Sequence, residues 1–314
     1  MSTTTDLRME AMAGRRRGLL YHLRREPALY LMLVPALVYL ALFKYLPMYG
    51  ITVVFQDFRL ARGYFGSRWV GFDHILRFLS DPFTPRIIRN TVILSFLLLI
   101  TFPAPIALAL LLNEVGSVGY KRTIQTISYL PHFISVVVVV GLLKTYFATD
   151  GLVNDVIARL GVEPQRYFID PQWFRPLYVL SDVWQSVGWG SILYLAALNN
   201  VNPELYESAY VDGANRWRRI WHVTLPAMSP VIVIVLIFRI GNLMDVGFEK
   251  VFLMYTETTY EVADVIKTYT YRRGIMEQQF SYATAVGLFE SVINFFLIIG
   301  ANFLSRRVTG NSLW

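Results

Sequence analysis

The chain has no cysteine in its 314 residues and few charged side chains. The missing thiols exclude disulfides, zinc–thiolate sites, cysteine nucleophiles and iron–sulfur clusters. Charged residues make up 16% of the sequence, whereas an average soluble domain has about 25%. Hydrophobic residues make up 55% and stand in long blocks, which indicates an integral membrane protein.

Several motifs of soluble enzymes are also missing. The sequence has no Gly-x-x-x-x-Gly-Lys-Ser/Thr phosphate loop, no His-Glu-x-x-His pair and no Gly-x-Ser-x-Gly elbow. The histidines His22, His74, His132 and His222 are scattered, which argues against a metal site. We predict that the chain is not an enzyme and holds no metal or cofactor.

Six apolar runs are long enough to cross a bilayer as helices. A spanning helix needs about 20 residues, while a spanning strand needs about 10 with strict alternation. The runs are longer than such strands and do not alternate, so we predict an all-α membrane protein with six transmembrane helices. These predicted spans are residues 28–55, 91–112, 124–147, 177–199, 227–247 and 284–304.

The basic tail at residues 1–27 sets the predicted orientation. It contains six arginines, three of them consecutive, and basic residues near a span favour the cytoplasmic side. An even number of spans then puts both termini in the cytoplasm, with residues 28–314 forming one membrane domain. A cleaved signal peptide is the alternative, but the apolar run is too long and no small-residue cleavage site follows it. The predicted inner loops are 113–123, 200–226 and 305–314, and the outer loops, predicted to be folded, are 56–90, 148–176 and 248–283.

The longest inner loop, residues 200–226, carries helix signals. Asn202 is suited to an N-cap and Pro203 to the first helical position. Glu204 stands in the first turn, where the helix dipole favours a carboxylate. We predict that this first short helix runs to about residue 212 and that Gly213 supplies a turn.

A second short helix is predicted to follow the glycine. Trp217, Ile220 and Trp221 share one of its faces, and it ends near Thr224, ahead of Pro226. The two helices, set at a sharp angle, either only connect two spans or form a docking surface for a cytoplasmic partner. Small residues cluster around the turn and permit close approach of another backbone, which favours the docking surface.

The loop is similar to the "EAA loop" of permease subunits of ATP-binding-cassette (ABC) importers. That pattern is Glu-Ala-Ala, three residues, Gly, nine residues, a hydrophobic residue, any residue and Leu-Pro. The stretch "ESAYVDGANRWRRIWHVTLP" follows this spacing and includes the Asp-Gly-Ala of carbohydrate permeases. It departs from the pattern at Ser208, which replaces an alanine, and at Ile220, where phenylalanine is usual. The resemblance implies contact with an ATPase through Glu207, Ser208, Ala209, Asp212, Gly213, Ala214, Leu225 and Pro226.

Further stretches extend the resemblance over nearly the whole chain. "ALFKYLPMYGITVVFQDF", "WVGFDHILRFL" and "DVIKTYTYRRGIMEQQFSYATAVGLFESVINFFLI" resemble permeases of polysaccharide and oligosaccharide importers, such as the alginate importer. The resemblance implies a type I importer fold in a bacterial cytoplasmic (inner) membrane. It also implies a second homologous permease, two ATPase subunits that hold ATP and Mg, an extracytoplasmic solute-binding protein and an oligosaccharide substrate, with no nucleic acid.

Polar side chains inside three predicted spans are candidates for function. Glu290 lies about 9 Å and Arg239 about 12 Å below the outer ends of their spans, so Arg239 can pair with Glu290 or with Asp182. Such pairs either hold the helices together or belong to a polar path for sugar hydroxyls or carboxylates, flanked by aromatic rings. The predicted path residues are Asp182, Gln185, Trp189, Arg239, Asn242, Asp245, Glu290 and Asn294.

Two functions therefore remain open. The first is an importer permease that moves an oligosaccharide or sugar derivative inward by alternating access. The alternative is an ion-coupled secondary transporter that acts alone and uses the buried charges as a relay. The predicted outer loops hold nearly equal numbers of basic and acidic residues, so bulk charge does not select an acidic sugar. Arg272, Arg273 and Arg239 are the candidates to meet a uronate carboxylate.

Overall fold

The computed structural model describes residues 27–310 and 312–313. Within them the chain is mostly helical, which confirms the all-α class. One short antiparallel pair, β1 (Gln56–Asp57) with β2 (Arg68–Trp69), lies in the first predicted outer loop. The predicted basic tail, including its arginine run, lies outside the described residues apart from Pro27.

The α-helices of the described region are numbered here in chain order. They are α1 (Pro27–Leu40), α2 (Leu46–Met48), α3 (Gly63–Gly66), α4 (Asp73–Ser80), α5 (Thr84–Ile100), α6 (Pro103–Glu114), α7 (Val118–Tyr129), α8 (Val136–Tyr146), α9 (Leu152–Arg159), α10 (Pro171–Leu198), α11 (Pro203–Val211), α12 (Arg216–Arg219), α13 (Leu225–Gly241), α14 (Phe248–Met254), α15 (Tyr260–Ala263), α16 (Ile266–Tyr271) and α17 (Phe280–Thr309). π-helical turns at Ala41–Tyr45, Ile220–Thr224 and Arg272–Met276 and 3₁₀ turns at Tyr49–Phe55, Leu130–Phe133 and Glu257–Thr259 connect some of them.

In the described part of the chain, four helical stretches are long and apolar enough to cross a membrane, and each overlaps a predicted span. They are Tyr30–Phe55, Thr84–Glu114, Arg216–Gly241 and Phe280–Thr309. The third of these ends at Gly241, so the predicted path residues Asn242 and Asp245 lie beyond the helix that carries Arg239. Asn242 is the C-cap of α13 and donates a hydrogen bond back to the Phe238 carbonyl oxygen at 2.9 Å.

The predicted span 124–147 is broken into two helical pieces. Val118–Phe133 and Val136–Tyr146 meet at an angle of 99°. Pro131 has no N–H and lies in the 3₁₀ turn before the break, and Ile134 and Ser135 are extended. The amide of Gln185 on α10 donates to the Ile134 carbonyl oxygen at 3.0 Å, so a side chain satisfies a backbone acceptor that the broken helix leaves free.

The predicted span 177–199 corresponds to α10, a helix of 28 residues. It does not reach the apolarity of the four stretches above. The described residues therefore contain four helices with the composition of a span, or five if the bent pair counts as one. A total of six spans stays a prediction.

Two long helices organise the packing of the described chain. α10 packs on α6, α7 and α13, and α17 packs on α13, α4 and α16. At Gly188 the α10 backbone lies against the α7 backbone at Ser128, because an added Cβ would overlap the Ser128 carbonyl group. Buried apolar clusters fill the space around both helices, with Tyr178 and Met228 among the fully enclosed side chains.

The predicted outer loops are folded, as expected from their sequence. Asn90 at the start of α5 is fully buried and donates to the carbonyl oxygens of Glu261 and Asp264 at 2.9 and 3.1 Å. Arg175 on α10 donates to the Asn90 Oδ1 atom at 3.1 Å. Asp264 is also fully buried and accepts two hydrogen bonds from the Arg272 guanidinium at 2.9 and 2.5 Å. This network joins three separate parts of the chain, namely α5, α10 and the segment 261–272.

Candidate functional sites

The loop at residues 200–226 begins as its sequence predicts. The Asn202 side chain accepts a hydrogen bond from the Glu204 N–H at 3.0 Å and caps α11, which runs from Pro203 to Val211. The Tyr206 hydroxyl lies 3.1 Å from the Thr224 Oγ1 atom. That contact fixes α11 against the helix that follows the loop.

Gly213 forms the turn after α11 in the left-handed region, with φ of 71°. The Ala214 N–H donates to the Ala209 carbonyl oxygen at 2.9 Å, and the Gly213 N–H donates to the Tyr210 carbonyl oxygen at 3.0 Å. These two bonds form a Schellman-type C-cap, in which glycine is favoured at the left-handed position. The Asn215 side chain then caps α12 by accepting from the Arg218 N–H at 2.9 Å.

The second helix of the loop does not end near Thr224, and this prediction is wrong. α12 continues through the π-helical turn Ile220–Thr224 into α13, so that Arg216–Gly241 is one helical stretch. Pro226 lies inside that stretch. Proline removes a helical hydrogen bond and crowds the preceding turn, and the wider π-helical turn directly before Leu225 accommodates it.

The predicted ATPase-contacting residues lie together on an accessible surface. Glu207, Ser208, Asp212, Gly213 and Pro226 are exposed, and the others are half-buried, namely Ala209, Ala214 and Leu225. Large apolar side chains of the same loop are also exposed. They are Leu205, Tyr210, Val211, Trp217 and Trp221. An exposed apolar patch of this kind, rimmed by charges, is typical of a protein–protein contact site.

A polar cavity of about 540 Å³ lies between α10, the end of α13 and the start of α14. It brings together four of the predicted path residues, namely Asp182, Gln185, Arg239 and Asp245. Glu249 and Lys250 complete the polar part of its wall, and Tyr178 and Phe248 supply aromatic rings. The cavity thus combines hydrogen-bonding groups with apolar surface, which is the usual composition of a small-molecule site.

Lys250 faces Asp182 across one wall of this cavity. Its Nζ lies 3.7 Å from the Asp182 Oδ1 atom and 5.2 Å from the centre of the Tyr178 ring. Sequence reasoning missed this residue because it placed residues 248–283 in an outer loop. A lysine within the apolar run "VGFEKVFLM" was the available signal.

Glu290 is 4% exposed and pairs with Lys267, not with Arg239. The Lys267 Nζ lies 3.2 Å from the Glu290 Oε1 atom and 3.6 Å from the Asp245 Oδ1 atom. The predicted pairing of Arg239 with Glu290 or Asp182 is therefore wrong, since lysines from the segment after α13 take both carboxylates. Arg239 remains on the cavity wall.

Replacing Lys267 with methionine is expected to destabilise the protein by about 1–3 kcal/mol, because it leaves the buried Glu290 carboxylate without a partner. The midpoint of thermal unfolding of the purified protein in detergent measures this change. Adding Glu290→Gln should restore part of the loss, since the carboxylate is then neutral. Lys44→Met removes an exposed lysine and serves as the control. A full loss that Glu290→Gln does not relieve would contradict the ion pair.

The remaining predicted path residues lie outside the polar cavity. Trp189 stacks on the His132 ring with centroids 4.6 Å apart, and it lines a second cavity of about 320 Å³ that also touches Arg239. Asn294 accepts a hydrogen bond from the Met244 N–H at 3.1 Å. Asn294 and Asn242 thus form hydrogen bonds with backbone groups. Among the described residues there is no group of three or more His, Cys, Asp or Glu side chains placed to hold a metal.

Residues 101–310 match the family described as the inner membrane component of binding-protein-dependent transport systems. The chain belongs to this family. The match covers α10, the 200–226 loop and α13, and it includes all but one of the residues that line the polar cavity. The prediction of a permease subunit is confirmed, and this permease is an inner-membrane protein.

Individual relatives of the permease span almost its whole length. Protein LplB of Bacillus subtilis (strain 168) is 46% identical over 294 residues, which cover 93% of this chain and 92% of LplB. The polygalacturonan/rhamnogalacturonan transport system permease protein YteP of the same organism is 45% identical over 295 residues, with coverage of 93% and 92%.

Solved structures match the permease equally well. A bacterial ABC transporter involved in import of the acidic polysaccharide alginate has a chain with a TM-score of 0.87 and 43% identity, covering 93% of this chain and 99% of that one. A bacterial alginate ABC transporter in complex with alginate pentasaccharide-bound periplasmic protein matches with the same TM-score and identity, covering 94% and 99%. The permease therefore has the fold of an ABC importer subunit.

Proposed function

We propose that this permease moves an oligosaccharide or sugar derivative into the cytoplasm by alternating access, driven by ATP hydrolysis in partner subunits. The observation that carries the proposal is the exposed helix–turn–helix at 200–226, with its glycine in the left-handed turn. The names of the relatives support a carbohydrate substrate, since YteP belongs to a polygalacturonan/rhamnogalacturonan transport system.

The proposed topology has six spans, with both termini and the 200–226 loop in the cytoplasm. The arginines of residues 1–27 support this orientation. The bent pair Val118–Phe133 and Val136–Tyr146 is then one broken span, and α10 is the fourth. Polar side chains of α10 line the cavity, and other helices pack against this helix. These two features account for its being less apolar than the other spans.

The proposed assembly contains a second homologous permease, two ATPase subunits that bind ATP and Mg, and an extracytoplasmic binding protein. The absence of a phosphate loop from the sequence supports a separate ATPase. The folded outer segments, held together by Asn90 and Asp264, offer a surface on which a binding protein can dock.

In this mechanism the ATPase subunits bind α11 and α12. When these subunits close on each other, their movement is transmitted through the two helices to the membrane helices. Glu207 supplies an exposed carboxylate for a polar contact, and the apolar side chains around it supply buried area. The Tyr206–Thr224 contact links α11 to the stretch that carries Arg239 at the cavity. Movement at the loop is thereby coupled to the polar cavity.

Gly213→Val and Glu207→Ala are expected to lower sugar uptake by at least about tenfold while basal ATP hydrolysis continues. Valine is disfavoured at φ of 71° and distorts the turn, and loss of the Glu207 carboxylate removes about 1.5–3 kcal/mol of charged hydrogen bonding. The measurement compares uptake with ATPase activity in reconstituted vesicles that contain the whole complex.

The controls use matched residues in another predicted cytoplasmic segment. Gly119→Val changes a helical glycine with ordinary φ and open space around it, and Glu114→Ala removes an exposed carboxylate. Both should transport normally. Normal uptake by Gly213→Val and Glu207→Ala would refute the coupling role. Transport by this chain alone, abolished by a protonophore and indifferent to ATP, would support the ion-coupled alternative.

A further inference from the structure

The second cavity, of about 320 Å³, lies further along α10 than the polar cavity does. The polar cavity contacts α10 as far as Gln185, and the second cavity contacts it from Ser186 to Tyr194. Arg239 lines both cavities, so the two meet at its side chain. In the proposed topology α10 runs inward, which places the second cavity on the cytoplasmic side of the first.

Arg239 has no ion pair and no hydrogen bond with any described residue. The two other arginines predicted to meet a uronate are occupied, since Arg272 binds Asp264 and Arg273 binds Glu277. Arg239 is exposed on the cavity walls, within a stretch that has the composition of a membrane span. A cation without a partner is costly at such a depth, so a ligand is the expected source of its partner.

Tyr194 brings a second unused polar group to the second cavity. The residue is 2% exposed, and its hydroxyl has no hydrogen bond with any described residue. By contrast, the Tyr269 and Tyr282 hydroxyls bond to each other and to Asp81. The Tyr194 hydroxyl is not sealed inside the protein, so it opens on the cavity that this residue lines. A buried hydroxyl without a partner carries a cost that phenylalanine would avoid.

The free polar groups of the second cavity are hydrogen-bond donors. Arg239 is the single charged side chain among the described residues that line it, and no carboxylate is present on this wall. The hydroxyls of Thr101 and Ser186 donate to backbone carbonyl oxygens three and four residues earlier in the chain. Their protons are therefore already used, and the Arg239 guanidinium and the Tyr194 hydroxyl are left to bind a ligand.

A carboxylate suits these two donors better than a sugar hydroxyl does. It only accepts hydrogen bonds, and it can take two from a guanidinium and a further one from a hydroxyl. Trp189, which is 45% exposed and stacks on His132, supplies apolar surface for the sugar ring that carries the carboxylate. The volume of the cavity lies within the usual range of small-molecule sites, roughly 300–1,000 Å³.

We propose that Arg239 and Tyr194 bind the carboxylate of a uronate ring in the second cavity, after that ring has left the polar cavity on its way inward. The proposal rests on the proposed import of an oligosaccharide and adds an acidic ring as its class. It assigns Tyr194 as a specificity-determining residue, whose hydroxyl donates to the carboxylate beside Arg239.

The test uses the complete transporter in vesicles with its binding protein. The probes are oligosaccharide pairs of equal length that differ only at C6, namely galacturonate with galactose, glucuronate with glucose and mannuronate with mannose. Uptake and stimulation of ATPase activity are measured for every probe, and at least one uronate member should be transported by the wild type. The binding protein is the same in every assay, so a preference that changes between variants originates in the permease.

Tyr194→Phe removes the hydroxyl alone and should lower uptake of the uronate probe about tenfold or more, the factor for one lost hydrogen bond to a charged group. Uptake of the neutral partner should change less than about threefold. The thermal unfolding midpoint should not fall, because the hydroxyl has no hydrogen bond within the described chain. Tyr39→Phe, which changes an exposed tyrosine of α1, should behave as wild type.

Arg239→Gln should lower uptake of the uronate probe by at least the same factor, because it removes the charge. Arg239→Lys should restore part of that uptake, since a lysine keeps the charge but cannot form the two parallel hydrogen bonds. Its recovery should be larger for the uronate probe than for the neutral one, which a purely structural role of the arginine would not produce.

Equal losses for both members of a probe pair in Tyr194→Phe or Arg239→Gln would overturn the proposal, as would unchanged uronate uptake. A lower unfolding midpoint of Tyr194→Phe would assign the hydroxyl a structural role instead. Failure of every uronate probe in the wild type would also overturn it, while ATP-dependent uptake of a neutral probe would leave the importer function standing. Uptake that needs no ATPase subunit would remove that function itself.

Discussion

Gly188→Ala is expected to prevent accumulation of the folded permease. The added Cβ would overlap the carbonyl carbon and oxygen of Ser128. These are backbone atoms, so a change of side-chain rotamer cannot relieve the overlap. Over-packing in a core usually costs about 1–3 kcal/mol, and a clash between two helix backbones should exceed that range. Small residues at helix contacts in membranes permit such close approach, so separation of α10 from α7 would open the protein at its centre.

The measurement is the yield of monodisperse protein from detergent and its thermal unfolding midpoint. Gly287→Ala and Gly141→Ala provide the controls, since both glycines lie within helices and an added Cβ meets no atom within 4 Å. These two changes should be neutral or slightly stabilising, because alanine favours a helix by about 1 kcal/mol over glycine. Equal behaviour of all three variants would refute the close contact at Ser128.

Asp264→Ala is expected to cost about 3–5 kcal/mol, the usual loss when one member of a buried ion pair is removed. The carboxylate is fully buried, receives two hydrogen bonds from Arg272 and a third from the Thr268 hydroxyl at 2.7 Å. Burial disfavours the charged guanidinium, but the Asp264 contact outweighs this effect and raises the pKa of Arg272. Removing Asp264 therefore leaves the Arg272 cation without its carboxylate partner.

Unfolding midpoints of the purified protein test this prediction. The matched control is Glu277→Ala, which breaks the more exposed pair with Arg273 and should cost about 0–1 kcal/mol. The double change Asp264→Leu with Arg272→Met should recover much of the stability, since apolar replacements of a buried pair are often neutral. A loss of the same size in both single variants would show that burial of Asp264 is unimportant.

Local signals in the sequence predicted the start of the 200–226 loop correctly. Asn202, Pro203 and Gly213 act through their own backbone neighbours, so their positions alone indicate a cap and a turn. The end of the second helix was mispredicted because Pro226 reads as a stop signal. A π-helical turn at Ile220–Thr224 removes that stop, and no residue pattern marks it in advance.

The partners of the buried carboxylates could not be predicted from helix depth. The depth argument treated the spans as parallel and uninterrupted, whereas α13 ends at Gly241 and the chain returns through α14 and α16. Lys250 and Lys267 then reach Asp182 and Glu290 from a segment assigned to an outer loop. Asp182 and Gln185 still share one cavity wall, because helical spacing on α10 is a local property, and Arg239 and Asp245 line the same cavity.

The unbroken run from Arg216 to Gly241 has a mechanical consequence. At 1.5 Å per residue it forms a rod about 39 Å long. Trp217 and Trp221 stand exposed near one end, and Arg239 lines the cavity near the other. A displacement at the tryptophans therefore has a direct helical route to the arginine. Loop and cavity are thus joined along one continuous helical stretch, in addition to the Tyr206–Thr224 contact.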